Sequence, residues 1–77
     1  MNYEKISKIT RELAMLYGQY SGYAIDIGNT IANEPEADTE EITVHLMWEN
    51  KLTLQNAGLQ TVKEKIALTL SELNDEL

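Results

Sequence analysis

The feature that most narrows the folds open to this chain is a stripe in its first third. Ile6, Ile9, Leu13, Leu16, Tyr20, Tyr23 and Ile27 recur at spacings of 3, 4, 3, 4, 3 and 4 residues, an unbroken a/d heptad. A stripe of this kind runs along one side of an α-helix and has to be covered by another element. Asn2 stands where an N-cap belongs, and Pro35 limits how far the helix can run. Gly18, Gly22 and Gly28 interrupt the pattern, and each costs about 1 kcal/mol relative to alanine in a helix interior. They leave open a second organisation, in which the chain breaks near Gly18–Gly22 and residues 23–28 form a short strand. With Ile6 at position a, the glycines fall at f, c and b, away from the bulky stripe. That placement favours the helix.

The opposite face of this helix has its own order. Ala14, Gly18, Ser21, Ile25, Gly28 and Ala32 are spaced 4, 3, 4, 3 and 4 residues apart, and all but Ile25 are small. Small residues at helical spacing let another backbone approach closely. The small face either simply faces water or is a second seam for a partner helix or a second copy of the chain, the latter giving a homodimer or a tight helix-to-helix contact through the first helix. Tyr17 and Tyr3 are a candidate contact pair just off the bulky stripe, since tyrosine is enriched in interface hot spots.

In the second half, Ile42, Val44, Leu46 and Trp48 alternate with Thr43, His45 and Met47. Period-two alternation rich in β-branched and aromatic residues reads as a half-buried strand. Glu49-Asn50-Lys51 makes a turn into a second strand, Leu52 to Gln55, and Asn56-Ala57-Gly58 closes the ribbon. Leu59, Val62, Ile66, Leu70 and Leu73 then return to helical spacing, with Thr61 and Glu64 placed as a capping box. The expected architecture is a single α+β domain over residues 1–77. Its order is a long N-terminal helix, a two-stranded β-hairpin and a C-terminal helix, or α-β-β-β-α should residues 23–28 be extended. A lone hairpin is marginal, so the ribbon would need helix cover or strands from a second chain.

Charge is unevenly spread. Thirteen acidic and six basic residues give a net charge of −7. Glu34, Glu36, Asp38, Glu40, Glu41 and Glu49 contribute −6 within residues 34–50, where there is no Lys or Arg. The excess disfavours direct nucleic-acid binding, which needs a basic patch. It fits instead a protein partner with a basic, nucleic-acid-binding surface, engaged by these six carboxylates as a nucleic-acid mimic. Small acidic phage and mobile-element proteins that inhibit host enzymes are a functional analogy. The alternative is an oligomeric structural adaptor whose acidic loop only solubilises. No apolar run approaches the ~20 residues that span a bilayer, and no signal peptide opens the chain. A cytoplasmic protein without membrane contact is expected.

Asp26-Ile27-Gly28-Asn29-Thr30, preceded by Ala24-Ile25, resembles the phosphate-binding D-x-G-x-T segment of the actin-like ATPase and sugar-kinase superfamily. It is also similar to the first motif of type III pantothenate kinases. The resemblance implies an aspartate at a strand end and a Gly-Thr turn cradling phosphates. That superfamily also needs a second phosphate loop and an adenosine pocket, which a chain of 77 residues does not supply. No nucleotide binding is expected. A calcium loop opening at Asp26 fails, because its sixth and twelfth positions are Ile31 and Ala37 rather than glycine and glutamate. There is no cysteine and a single histidine, His45, so no ordinary zinc site or thiol nucleophile can be built. Ser7, Ser21 and Ser71 have no histidine at a suggestive spacing. Catalytic residues, metals and cofactors are all expected to be none.

Overall fold

The computed structural model describes residues 2–36 and 41–77. It consists of two helices, α1 (Tyr3–Ala32) and α2 (Ile42–Glu76). Lys5 meets Glu76 at one end and Thr30 meets Trp48 at the other, so the helices run antiparallel as a hairpin. The molecule is a rod of 61 × 14 × 11 Å.

α1 begins and ends as its sequence dictates. The Asn2 side-chain oxygen accepts the Lys5 amide at 3.1 Å and satisfies one of the first-turn donors. Glu4 adds a negative charge where the helix dipole is positive. At the far end the Asn33 amide donates to Asn29 and Thr30, and Pro35 follows two residues on. Along the heptad stripe Ile9, Leu13 and Leu16 are buried, while Ile6, Tyr20, Tyr23 and Ile27 are half-buried. Thr30 continues the stripe by one place and is buried. The alternative strand at 23–28 does not form, because that stretch lies inside α1. A Cβ at Gly18, Gly22 or Gly28 would meet nothing within 4 Å.

The expected β-hairpin is overturned: residues 42–58 are helical and no strand occurs among the described residues. The fold is all-α rather than α+β. The reason lies in what α1 requires. Its stripe from Ile6 to Ile27 is about 32 Å long at 1.5 Å per residue, whereas a helix from Leu59 to Leu73 covers about 21 Å. Continuing α2 back through Trp48 covers the remainder, and that tertiary demand outweighs the local β-propensity of Ile42, Thr43 and Val44. The covering residues are His45, Trp48, Leu52, Gln55, Leu59, Val62, Ile66, Thr69, Leu73 and Glu76, every one buried or half-buried. They too recur at alternating spacings of 3 and 4.

Two smaller expectations fall with the ribbon. Thr61 is mid-helix and donates its hydroxyl to the Ala57 carbonyl, so it caps nothing. Leu70 is exposed, and Thr69 takes the seam position beside it. Thr69 and Thr30 can occupy a dry seam because each hydroxyl bonds back to its own helix, at Lys65 and Asp26. The core is Ile9, Leu13, Leu16, Val62 and Ile66, with Tyr20, Tyr23 and Leu73 packed against it.

Candidate interaction surface

The seam divides the rod into two unlike edges. In heptad terms, with Ile6 and His45 both at a, the α1 and α2 positions g line one edge and the positions e line the other. The six charged residues of α1 are Glu4, Lys5, Lys8, Arg11, Glu12 and Asp26, and all fall at c, f or g. Positions b and e of α1 hold none. They read Tyr3, Ser7, Thr10, Ala14, Tyr17, Ser21, Ala24, Gly28 and Ile31, an uncharged stripe running the whole helix at alternating spacings of 4 and 3. Its bulky members are open to solvent, with Tyr3 76%, Tyr17 50% and Ile31 54% exposed.

On α2 the same edge carries Ile42, Leu46, Leu70 and Leu77 toward its ends, all exposed. Its charges are Glu49 and Lys63, one of each sign. Between the helices lies an apolar groove of about 280 Å³ lined by Tyr17, Tyr20, Lys63, Ile66, Ala67 and Leu70. A soluble helix normally hides three to four positions in every two turns and turns a polar face to water. α1 is uncharged at four: a, b, d and e.

The opposite edge carries most of the charge, although Met15, Val44 and Leu68 are also exposed on that side. Grooves there are lined by Lys5, Lys8, Glu12 and Glu72 at one end and by Asp26, Asn33, Lys51 and Gln55 at the other. Lys5 Nζ lies 2.7 Å from Glu76 Oε1. That hydrogen bond first, and the carboxylate's charge second, hold the lysine above its ordinary pKa.

The residues expected to form a small seam, Ala14, Gly18, Ser21, Ile25, Gly28 and Ala32, all lie exposed on α1. They occupy b and f, so half of them belong to the uncharged stripe and half border it. Tyr3 and Tyr17 fall on the stripe itself. Thr10, Ala24 and Ile31 were not singled out by the sequence, although their sevenfold spacing from Tyr3 and Tyr17 is the signal that joins them. Of the expected acidic partner surface, Glu34, Glu36, Glu41 and Glu49 are exposed at the connection end of the rod. Asp38 and Glu40 lie outside the described residues.

The D-x-G-x-T resemblance does not survive the fold. Asp26 to Thr30 are consecutive helical residues, and the Thr30 hydroxyl donates to the Asp26 carbonyl at 2.9 Å. Amides engaged in mid-helix bonds cannot cradle a phosphate as a turn does. His45 sits on the seam with Nε2 enclosed and without a protein partner, and Gln55 Oε1 is in the same condition. Among the described residues no three His, Cys, Asp or Glu side chains converge on a common point. No described helix is long and apolar enough to cross a membrane. Comparison with known protein families, with curated proteins and with solved structures finds no match.

Proposed function

We propose that this protein is a non-enzymatic interaction module, a helical rod that acts as an adaptor by docking protein helices along its uncharged edge. One observation carries the reading: the stripe from Tyr3 to Ile31 is free of charge over its length, yet Tyr3, Tyr17 and Ile31 are solvent-exposed. Exposed aromatic and aliphatic groups set along an uncharged face fit an interaction surface. Catalysis, by contrast, needs an acid, base or nucleophile in a sheltered concavity. The grooves here are shallow.

The test is site-specific photo-crosslinking in the native cell. A benzoylphenylalanine at Tyr17 or Ile31 is expected to capture a protein, and one at Lys8 on the charged edge is not. Equal capture from both edges, or none from Tyr17 and Ile31, overturns the reading.

A second reading attaches to the connection end, where Glu34, Glu36, Glu41 and Glu49 are exposed together. There the rod would engage the basic surface of a nucleic-acid-binding partner, through charges that raise association rates. Replacing Glu36, Asp38, Glu40 and Glu41 together by Gln and Asn should then slow association with that partner at low salt. An unchanged rate would leave the acidic segment a solubilising device.

A further inference from the structure

We propose that the occupant of the uncharged edge is a second copy of this chain, packed antiparallel so that α1 lies on α1 about a two-fold axis at Tyr17. This inference rests on the interaction-module reading and names its partner. Three observations support it.

The first is area. A compact protein of 8.7 kDa exposes about 4,700 Å², and this chain exposes 5874 Å². The excess is about 1,100 Å² per chain, or about 2,300 Å² for two, which falls in the size range of obligate homodimer interfaces. The radius of gyration, 17.8 Å, likewise exceeds the roughly 11.5 Å of a compact domain of this length. A two-helix rod alone leaves this surface open, and a second layer of helices would reduce it.

The second is self-complementarity. A two-fold interface sets the same surface against itself, so whatever pairs must fit its own image. The stripe is arranged symmetrically around Tyr17. Running antiparallel, Thr10 comes opposite Ala24 and Tyr3 opposite Ile31, while Ala14 comes opposite Ser21. Tyr17 on the axis then meets Tyr17 of the other copy, with Ala14, Gly18 and Ser21 of that copy around the ring. Gly18 has nothing within 4 Å of where a Cβ would stand, which leaves a recess for the ring. No charge on the stripe opposes its own image.

The third is orientation. Residues 34–50 carry −6 of the net charge of −7, and the described members Glu34, Glu36, Glu41 and Glu49 lie toward one end of the rod. A parallel pair would hold two such ends side by side, within the ~8 Å range of unscreened repulsion at physiological salt. The antiparallel pair separates them by about the length of the rod, 61 Å. Ile42, Leu46, Leu70 and Leu77 of α2 then flank the paired α1 helices and complete a four-helix bundle.

Because the chain has no cysteine, introduced thiols report the arrangement directly. Full-length Thr10→Cys and Ala24→Cys chains are each expected to stay unlinked under mild oxidation. Residues 14 apart on antiparallel helices stand about 21 Å from their own counterparts, beyond the reach of a disulfide. Mixing the two chains should give the disulfide-linked dimer. Sedimentation equilibrium of the parent should report twice 8.7 kDa, and Tyr17→Glu should lower it to one chain. A linked product from Thr10→Cys alone, a larger open assembly, or a parent that sediments as a folded monomer overturns the inference. A folded monomer that still cross-links a different protein from Tyr17 in the cell would leave the interaction-module reading standing. No capture at all would remove both.

Discussion

The Tyr23 ring lies over the bare Cα of Gly58: a methyl group built there would stand 2.5 Å from ring carbon Cε1 and 2.8 Å from the hydroxyl oxygen. Gly58 is the one glycine of α2, and the ring explains why a residue costly to a helix interior is used at that place. Gly58→Ala is therefore expected to destabilise the hairpin by about 1 kcal/mol, the strain of overpacking exceeding the gain in helix propensity. In a Tyr23→Ala background the same change should instead stabilise by about 1 kcal/mol. Urea unfolding at fixed protein concentration distinguishes the two signs, and equal effects in both backgrounds would show that the ring and the glycine are independent.

At the connection end the Trp48 indole N–H donates to the Thr30 carbonyl at 2.6 Å, joining α2 to the last turn of α1. That carbonyl lies among the four that a helix end leaves without amide partners in the regular pattern. Trp48→Phe keeps a ring on the seam and removes the donor. It should cost about 0.5–1.5 kcal/mol and raise amide hydrogen exchange in the turn from Asn29 to Asn33. Unchanged exchange there would mean that the bond does not fasten the helix end.

Gln55 occupies a seam position with its carbonyl oxygen enclosed and without a protein donor. A buried acceptor in that state costs about 1–3 kcal/mol. Gln55→Leu should thus raise the thermal midpoint, with a gain of about 1–2 kcal/mol. A lower midpoint would show that the amide contributes a bond worth more than its burial costs.

The Lys5–Glu76 pair gives a pH dependence with a definite sign. The lysine's folded pKa is raised by its hydrogen bond to Glu76 and by that carboxylate's charge, with Glu72 and Asp75 adding to it. The contribution is therefore fully present below the ordinary lysine value of 10.5 and is lost as the pH climbs through the folded value. Lys5→Met should lose less stability across this alkaline window than the parent. The two proteins differ at this one residue, so the difference between their curves isolates the pair. Parallel alkaline curves would rule the contribution out.

α1 was legible from its sequence down to its cap, because seven bulky residues hold one phase without a polar interruption. α2 was not, for a physical reason that can be read at single residues. His45, Gln55, Thr69 and Glu76 are polar, and they occupy seam positions that pattern reading reserves for apolar groups. Meanwhile Ile42, Val44, Leu46 and Leu54 are apolar and exposed. Alternation in residues 42–48 thus imitated a strand, while the real periodicity passed through Thr69, which satisfies its hydroxyl within the helix, His45 and Gln55, which leave a polar atom unpaired, and Glu76, which pairs with Lys5. The uncharged stripe was half visible. Its small members stood out by spacing, but Thr10, Ala24 and Ile31 join them only when charge, rather than size, is the property followed along the helix.

The antiparallel hairpin also has a mechanical consequence. Asn2 and Leu77 leave the rod at the same end, beside the Lys5–Glu76 pair. A force applied between them acts across the helix axes and loads one layer of the seam at a time. The ion pair parts first, then successive turns, with the Thr30–Trp48 bond reached last. Pulled in this way the protein should open like a zip, in small steps at low force, and close again from the connection, where the two helices are never far apart.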